Sequence, residues 1–182
     1  KAQSANDFLA PYAPTIGTAT DVGTGRAYND AAASVTFTAT GPNAATSYTV
    51  YAVEDATKTT TGSSSPLTVT GLASGTNYTF KVYGTNAAGG RGTDSSATNQ
   101  ITATTVPQAP TSVSGTTANA SSSVSVTAGA TGGSAITSFT VTPYIAGVAQ
   151  TGLIASNSSS PVLVTGLTNG TAYTFTATAT NA

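Results

Sequence analysis

Two stretches of this chain are nearly the same sequence: residues 65–87, SPLTVTGLASGTNYTFKVYGTNA, and residues 160–182, SPVLVTGLTNGTAYTFTATATNA. They are identical at 14 of 23 positions and lie 95 residues apart. The openings repeat as well, since PYAPT at residues 11–15 returns as PQAPT at residues 107–111. This spacing is too long for a solenoid repeat and matches the length of one small β-sandwich, so the sequence predicts two such domains in tandem.

Within each repeat, apolar residues alternate with threonine or serine, which is the period of a half-buried β-strand, and nothing sustains a helical period. The apolar members of each run are expected to face the core. In the first repeat these are Val35, Phe37, Tyr48, Val50, Leu67, Val69, Tyr78, Phe80 and Val82. In the second they are Val124, Val126, Phe139, Val141, Val162, Val164, Tyr173, Phe175 and Ala177. By the same alternation Tyr83 faces outward, whereas the small-residue run at residues 31–33 is interpreted as part of a loop.

Turn and linker residues predict the domain boundaries. Residues 1–11 are predicted to be the tail of an upstream segment, and residues 12–105 the first domain. A linker bracketed by prolines follows at residues 106–110, and residues 111–182 form the second domain. Because a short linker with two prolines is semi-rigid, the two domains are expected to stack end to end.

The two repeats differ at their ends. After Asn86 the first repeat continues to a final strand predicted at residues 97–104, which should pair with the strand of residues 76–86. The second repeat reaches only the equivalent strand, residues 171–181, before Ala182. The edge of that strand is expected to be unpaired, and such an edge accepts strands from elsewhere. Either the polypeptide continues beyond Ala182 with the missing strand, or a neighbouring subunit donates it.

The composition excludes several classes of function. Charged residues make up only 6% of the chain and the net charge is −1, so the electrostatic attraction that nucleic acids or anionic membranes require is missing. No apolar stretch approaches the ~20 residues that cross a bilayer. The chain contains no His and no Cys, which removes the usual nucleophile and base pairs, disulfides and thiolate metal sites.

Carboxylates are sparse, and their spacing does not predict a metal site or a catalytic pair. Glu54 and Asp55 are adjacent in sequence, but neighbours on an extended chain point to opposite faces. The pair is interpreted as part of a hairpin connection. No D-x-D-x-D-G calcium loop occurs. We therefore expect a protein without catalytic residues, cofactor or bound metal.

Contacts with a partner remain as a hypothesis for four residues. Arg26 and Tyr28 lie with Asp21 and Asp30 in a charged and aromatic cluster between the first two strands, where a local ion pair within the loop is the default interpretation and a partner contact the alternative. Tyr83 is predicted on an outward face, and Arg91 begins the sequence RGTD in a glycine-rich loop. Arginine and tyrosine are favoured anchors at protein interfaces. Arg26, Tyr28, Tyr83 and Arg91 are therefore candidates for partner contact.

The sequences GLASGTNYTF at residues 71–80 and GLTNGTAYTF at residues 166–175 resemble the E–F region of fibronectin type III domains. The resemblance covers nearly the whole chain after the first eleven residues. It implies an all-β fold of two tandem antiparallel β-sandwiches of fibronectin type III (immunoglobulin-like) type, the second lacking its last strand. It also implies that Tyr78 and Tyr173 form structural tyrosine corners, in which the hydroxyl bonds to nearby backbone.

More narrowly, residues 14–30, PTIGTATDVGTGRAYND, and residues 95–111, SSATNQITATTVPQAPT, are similar to repeats of tailed-bacteriophage structural proteins and bacterial surface proteins. This resemblance implies a non-catalytic structural and adhesive module on a virion surface or in another extracellular setting, such as a phage tail, fibre or capsid appendage. Its partners would be other structural subunits and a cell-surface glycan or protein. The alternative is a pair of spacer domains in a secreted bacterial enzyme or adhesin.

Overall fold

The computed structural model describes residues 9–43 and 45–182, so most of the tail predicted at residues 1–11 lies outside the described residues. The chain divides into two compact units, the first ending at Thr105 and the second starting at Val106. The described residues form antiparallel β-strands and one short 3₁₀ turn, Thr151–Leu153. The predicted all-β class is confirmed.

The first unit is a β-sandwich. Its strands are β1 (Thr15–Asp21), β2 (Ala31–Thr38), β3 (Ser47–Ala52), β4 (Thr59–Gly62), β5 (Leu67–Leu72), β6 (Asn77–Tyr78), β7 (Phe80–Thr85) and β8 (Ile101–Thr102). One sheet has the order β1-β2-β5, a second has the order β4-β3-β7, and β6 pairs with β8. Apolar side chains from both larger sheets share one buried core, as expected when two sheets pack face to face.

The core of the first unit follows the predicted alternation. All of its predicted core residues are buried except Leu67, which packs partly buried against them. The interpretation of residues 31–33 as a loop is wrong, because Ala31–Ala33 begin β2 and are at most 1% exposed. Ala31 and Ala33 pair with Leu72 and Val69 of β5. Alanine has little preference for strands, so the neighbouring strand decides its conformation.

The long strand predicted at residues 76–86 is interrupted. It consists of β6 and β7, separated at Thr79, whose N–H donates to the carboxylate of Glu54. The final strand predicted at residues 97–104 is also mostly irregular, since only β8 is a regular strand there. Elsewhere in that segment, side-chain hydroxyls replace part of the backbone ladder.

The second unit repeats the sandwich plan. Its strands are β9 (Ser112–Ala118), β10 (Ser121–Thr127), β11 (Ile136–Ile145), β12 (Val148–Ala149), β13 (Ala155–Asn157), β14 (Val162–Thr165) and β15 (Thr174–Asn181). One sheet has the order β9-β10-β14. In the other, β11 pairs with β15 along one side and with β12 and β13 along the other.

The core of the second unit departs from prediction at one strand. The predicted residues of β10, β11 and β14 are buried. Tyr173, Phe175 and Ala177 were expected to be mostly buried, but they are only partly buried against this core. The physical reason is that, among the described residues, no strand pairs with β15 on the side away from β11.

Candidate interaction surface

The outer face of the β4-β3-β7 sheet carries two tyrosines. Thr49 of β3 lies opposite Tyr83 of β7, and Tyr51 lies two residues further along β3. Side chains two residues apart on a strand share a face, so both rings project away from the core. Their centroids are 6.3 Å apart and the ring planes are inclined by 53°. Tyr83 thus faces outward, as its position in the sequence predicted.

Arg91 and Asp94 join these rings into one arrangement. The guanidinium carbon of Arg91 lies 3.8 Å from the centroid of the Tyr83 ring, a cation–π contact. Arg91 Nη2 donates to Asp94 Oδ1 at 2.7 Å, and the hydroxyl of Tyr51 donates to Asp94 Oδ2 at 3.0 Å. We call Tyr51, Tyr83, Arg91 and Asp94 the Tyr–Arg face. It brings together two of the four predicted contact residues, Tyr83 and Arg91.

A tight loop after β7 returns Arg91 to the sheet. The side chain of Asn86 accepts hydrogen bonds from the N–H groups of Ala88 and Gly90, at 3.1 and 2.8 Å. Gly89 between them has φ of +82°, a conformation that glycine adopts without steric cost. Arg91 then forms a bridge with Thr85 at the end of β7. The hydrogen bonds of Asn86 and the turn at Gly89 therefore bring Arg91 back beside Thr85.

The Tyr–Arg face borders an open depression of about 540 Å³, which is also lined by Thr49, Thr59 and Thr61. The hydroxyls of Thr49 and Thr61 are 2.8 Å apart. Burial and the hydrogen bond to Asp94 raise the pKa of Tyr51 above its ordinary value, so this hydroxyl is neutral at physiological pH. Because Asp94 also pairs with Arg91, the face offers aromatic rings and hydroxyls with little net charge.

The other two predicted contact residues lie at the opposite end of the first unit. Arg26 donates from Nε to the carbonyl of Asp30 and from Nη2 to its carboxylate, at 2.5 and 2.7 Å. Tyr28 is partly buried in the same loop. The next residue, Asn29, donates its N–H to Ser74, which precedes β6, whereas Arg91 lies beside the end of β7. Arg26 therefore forms a local ion pair, the default interpretation of this cluster from the sequence.

The two predicted corner tyrosines have the same hydrogen bond in each unit. The hydroxyl of Tyr78 accepts a hydrogen bond from the N–H of Ala73 at 3.2 Å. The hydroxyl of Tyr173 accepts one from the N–H of Thr168, also at 3.2 Å. In both cases the donor lies five residues before the tyrosine, on the preceding turn. This geometry ties each turn to the strand that follows it.

Sequence reasoning missed two exposed residues next to Arg91. Leu9 and Tyr12 are each 56% exposed, and both line an open depression of about 600 Å³ with Arg91 and Thr93. They come before β1, where no strand period indicates which way a side chain points. The backbone of Leu9 is held by a side-chain amide, since Asn86 Nδ2 donates to its carbonyl at 2.9 Å.

The described residues offer no arrangement suited to metal or acid–base chemistry. In the part of the chain that the structure describes, no three Asp or Glu side chains cluster as metal ligands would. Partial burial alone would raise the pKa of Glu54, but hydrogen bonds from the N–H and hydroxyl of Thr79 outweigh it and lower that pKa. Asp55 accepts from the N–H and hydroxyl of Thr57. Both residues lie in the β3–β4 hairpin, as interpreted from sequence: Asp55 bonds within the hairpin, whereas Glu54 joins it to Thr79, between β6 and β7.

Among residues 9–43 and 45–182, no helix is long and apolar enough to cross a membrane.

The comparison with curated proteins gave no match to this chain. Among solved structures, the chain is similar to the chicken CNTN1 FN1-FN3 domains, with 16% sequence identity and a TM-score of 0.43. This likeness covers 96% of the chain and 62% of the solved chain of those domains, so the chain spans about three fifths of the length of that solved chain. Residues 21–101, which lie within the first unit, match the family model of the fibronectin type III domain.

Proposed function

We propose that this chain is a structural and adhesive module of an extracellular assembly, and that its first unit contacts a partner through the Tyr–Arg face. A fibronectin type III domain is typical of non-catalytic scaffolds, which supports the general class. The observation that carries the specific proposal is the fixed stacking of Arg91 on Tyr83, 3.8 Å from its centroid. Arginine and tyrosine are enriched among the residues that dominate binding energy at interfaces.

The hydrogen bonds of the Tyr–Arg face favour binding because they hold its side chains in place before a partner arrives. Asp94 anchors both Arg91 and Tyr51, so these side chains lose little rotational freedom on binding. Arg91 is still 51% exposed and keeps surface for a partner. A preorganised pair of aromatic rings with adjacent hydroxyls suits a polar, weakly charged surface, such as a cell-surface glycan or protein or another structural subunit.

The proposed setting is the surface of a tailed-phage virion, in a tail, fibre or capsid appendage. Two repeated sandwiches with few charges and many hydroxyls suit a spacer that projects from a particle. The alternative is a spacer in a secreted bacterial enzyme or adhesin. Immunogold labelling with antibodies against the second unit distinguishes these settings: label on purified phage particles supports the proposal, and label confined to secreted enzyme or the cell envelope contradicts it.

The contact itself is tested by Tyr83→Ala, with Thr178→Ala as the matched control at the equivalent position of the second unit. Binding of the purified chain to the bacterial cells that the assembly contacts is measured by flow cytometry. We expect Tyr83→Ala to weaken binding about tenfold or more, and Thr178→Ala to leave it unchanged. Equal binding by both variants, with unchanged melting temperatures, would show that the partner does not use this face.

Salt dependence gives a second test of the same face. Because Arg91 is paired with Asp94, few uncompensated charges would take part in binding. Raising the ionic strength from ~0.05 to ~0.5 M is therefore expected to change the affinity less than about threefold, although screening becomes much stronger over this range. A steep loss of binding with salt would contradict the proposed chemistry.

A further inference from the structure

The depression beside the Tyr–Arg face is lined mainly by hydroxyl groups. Five of its seven lining side chains carry a hydroxyl, and the other two are Ala56 and Arg91. The five are Thr49, Tyr51, Thr59, Thr61 and Tyr83. Among the described residues, no carboxylate lines the depression. A neutral hydroxyl both donates and accepts hydrogen bonds, so this lining matches a ligand that is itself covered with hydroxyls.

Strand pairing brings these hydroxyls to one side of the sheet. Thr49 of β3 lies opposite Thr61 of β4, and Tyr51 lies opposite Thr59. The hydroxyls of Thr49 and Thr61 bond to each other at 2.8 Å, and that of Thr59 donates to the carbonyl of Val50 at 2.9 Å. These bonds orient the threonine side chains. Each hydroxyl oxygen has two lone pairs, so the group still has capacity for a ligand.

The two tyrosine rings supply apolar surface between the hydroxyls. Because the planes of Tyr51 and Tyr83 are inclined by 53°, the rings do not form one flat platform but meet at an angle. The face of an aromatic ring carries negative potential, which attracts C–H groups polarised by a neighbouring oxygen. Arg91 donates to the carbonyl of Gly92 and to Asp94. A guanidinium has five N–H donors, so others remain for ligand oxygens.

The size and lining of the depression favour a saccharide over a protein as its ligand. Tyrosine and arginine serve either kind of ligand, but threonine is under-represented among the residues that dominate binding energy at protein interfaces. Here three threonines surround the rings. A protein interface of standard size also needs about 800 Å² from each partner. A depression of about 540 Å³ instead has the size of a small-ligand site.

The charges around the depression favour a neutral sugar over an acidic one. Arg91 is the one cation among the lining residues, and its guanidinium is already paired with Asp94 at 2.7 Å. Lys81 lies opposite Tyr51 on the same face, two residues from Thr79, which binds the carboxylate of Glu54. Binding of an acidic group typically uses a bidentate arginine, and here Asp94 already occupies part of that guanidinium.

We propose that this depression binds a neutral sugar residue of a cell-surface polysaccharide. The inference rests on the proposed contact through the Tyr–Arg face and names its ligand. The apolar C–H face of the sugar ring packs against the two tyrosines. Its hydroxyls accept hydrogen bonds from Arg91 and exchange them with the threonines of β3 and β4. A single ring buries little surface, so one site binds weakly and several copies bound to one polysaccharide bind more tightly.

The ligand class is tested by NMR titration of the purified chain with methyl glycosides of glucose, galactose, mannose, N-acetylglucosamine and glucuronic acid. We expect at least one neutral glycoside to shift the backbone amides of Tyr51, Thr61, Tyr83 and Arg91, and the glucuronide to bind more weakly. Thr61→Val keeps a β-branched side chain and should weaken binding about fivefold, the loss of one neutral hydrogen bond. Thr178→Ala in the second unit is the matched control and should change nothing. No shift with any neutral glycoside, shifts confined to the second unit, or tighter binding of the glucuronide would overturn the proposal.

Treated cells separate this inference from the proposed contact itself. Fluorescent beads that carry many copies of the chain are bound to the same bacterial cells, either untreated, oxidised with periodate to cleave sugar diols, or digested with proteinase K. We expect periodate to abolish the binding that depends on Tyr83, whatever the effect of the protease. Binding that survives periodate but is lost after proteinase K would overturn the saccharide and leave the proposed contact intact, with a protein as partner. If beads carrying Tyr83→Ala bind untreated cells as well as the native chain, the proposed contact fails and this inference with it.

Discussion

Tyr78 and Phe80 of the first unit and Tyr173 and Phe175 of the second occupy the same places in a repeated sequence, but they differ in burial. Tyr78 and Phe80 are 3% and 0% exposed, whereas Tyr173 and Phe175 are only partly buried. Both tyrosines still make the same hydrogen bond to the preceding turn. The local sequence therefore fixes the turn and the corner, whereas the segment that covers the neighbouring edge fixes the burial.

The outer faces of the two units differ in another way. Where β3 and β7 carry Tyr51 and Tyr83, the equivalent positions on β11 and β15 carry Thr142 and Thr178. The inward positions of the same strands remain apolar in both units. The requirements of the core thus preserve one face of each strand and leave the other free to differ. This is why we assign the proposed partner contact to the first unit.

The largest expected difference between the units is the loss of stability when the phenylalanine that both repeats share, Phe80 or Phe175, is replaced by alanine. Phe80→Ala should lower the free energy of unfolding of the first unit by about 3–5 kcal/mol, because it leaves a cavity in a closed core. Phe175→Ala should cost the second unit no more than about half of that, since its ring is already partly in water. Urea unfolding followed by NMR signals of each unit measures both values. Equal costs would contradict the assigned difference in burial.

Asn99 offers a test of what closes the edge of the first unit. Asn99→Ala removes two hydrogen bonds to Ala19 and should destabilise the first unit by about 1–3 kcal/mol. Gln100→Ala is the matched control on the adjacent exposed residue, with an expected change within about 0.5 kcal/mol. The second unit should be unaffected by either change. A cost for Gln100→Ala as large as that for Asn99→Ala would refute the role of the Asn99 side chain.

The two tyrosine corners are expected to contribute unequally to the stability of their units. Tyr78→Phe removes one hydrogen bond to Ala73 in a buried setting and should cost roughly 0.5–1.5 kcal/mol. Tyr173→Phe removes the equivalent bond to Thr168, but the donor is exposed and water can replace the hydroxyl. Its cost should therefore be smaller. Thermal unfolding of both variants gives the comparison, and an unchanged midpoint for Tyr78→Phe would rule out a stabilising corner.

The smallest expected effect is that of Glu54 on the pH dependence of the stability of the first unit. Hydrogen bonds from Thr79 hold its pKa in the folded state below the unfolded value of about 4.3. The stability it contributes is therefore present above that unfolded value and is lost as the pH falls through the lower, folded value. Glu54→Gln should flatten the fall in stability of the first unit between about pH 5 and 3. An unchanged slope in pH-dependent melting would show that the Thr79 contacts are not formed in solution.

Much of the core was predictable from sequence, because alternation of apolar and hydroxyl residues determines which face of a strand is buried. Prediction from this alternation failed at Ala31–Ala33. Three small residues in a row show no alternation of apolar and polar side chains, and their burial depends on pairing with β5. The prediction of a regular strand at residues 97–104 also failed, because the hydroxyls of Thr98 and of the preceding Ser95 take the place of backbone partners along β7. In both regions a tertiary contact, not a local preference, determines the structure.

The candidate surface was only half predictable. Alternation along β7 placed Tyr83 outward, but the contact between Arg91 and Tyr83 depends on a loop whose path is set by Asn86 and two glycines. Arg91 and Asp94 are three residues apart, and that spacing alone does not predict an ion pair in a loop. The role of Asp94 as a shared anchor required the structure, because Tyr51 comes from a strand 43 residues earlier.

The central claim, that residues 95–105 close the outer edge of β7 whereas no described strand covers the equivalent edge of β15, is tested most directly by amide hydrogen exchange in the chain of residues 1–182. We expect the amides of Phe80 and Val82 to be protected, and those of Phe175 and Ala177 to exchange rapidly. Thr176 and Thr178, whose amides face β11, provide the internal control and should be protected. Equal protection of all four β15 amides in dilute solution would contradict the account, because something would then already be bonded to that edge.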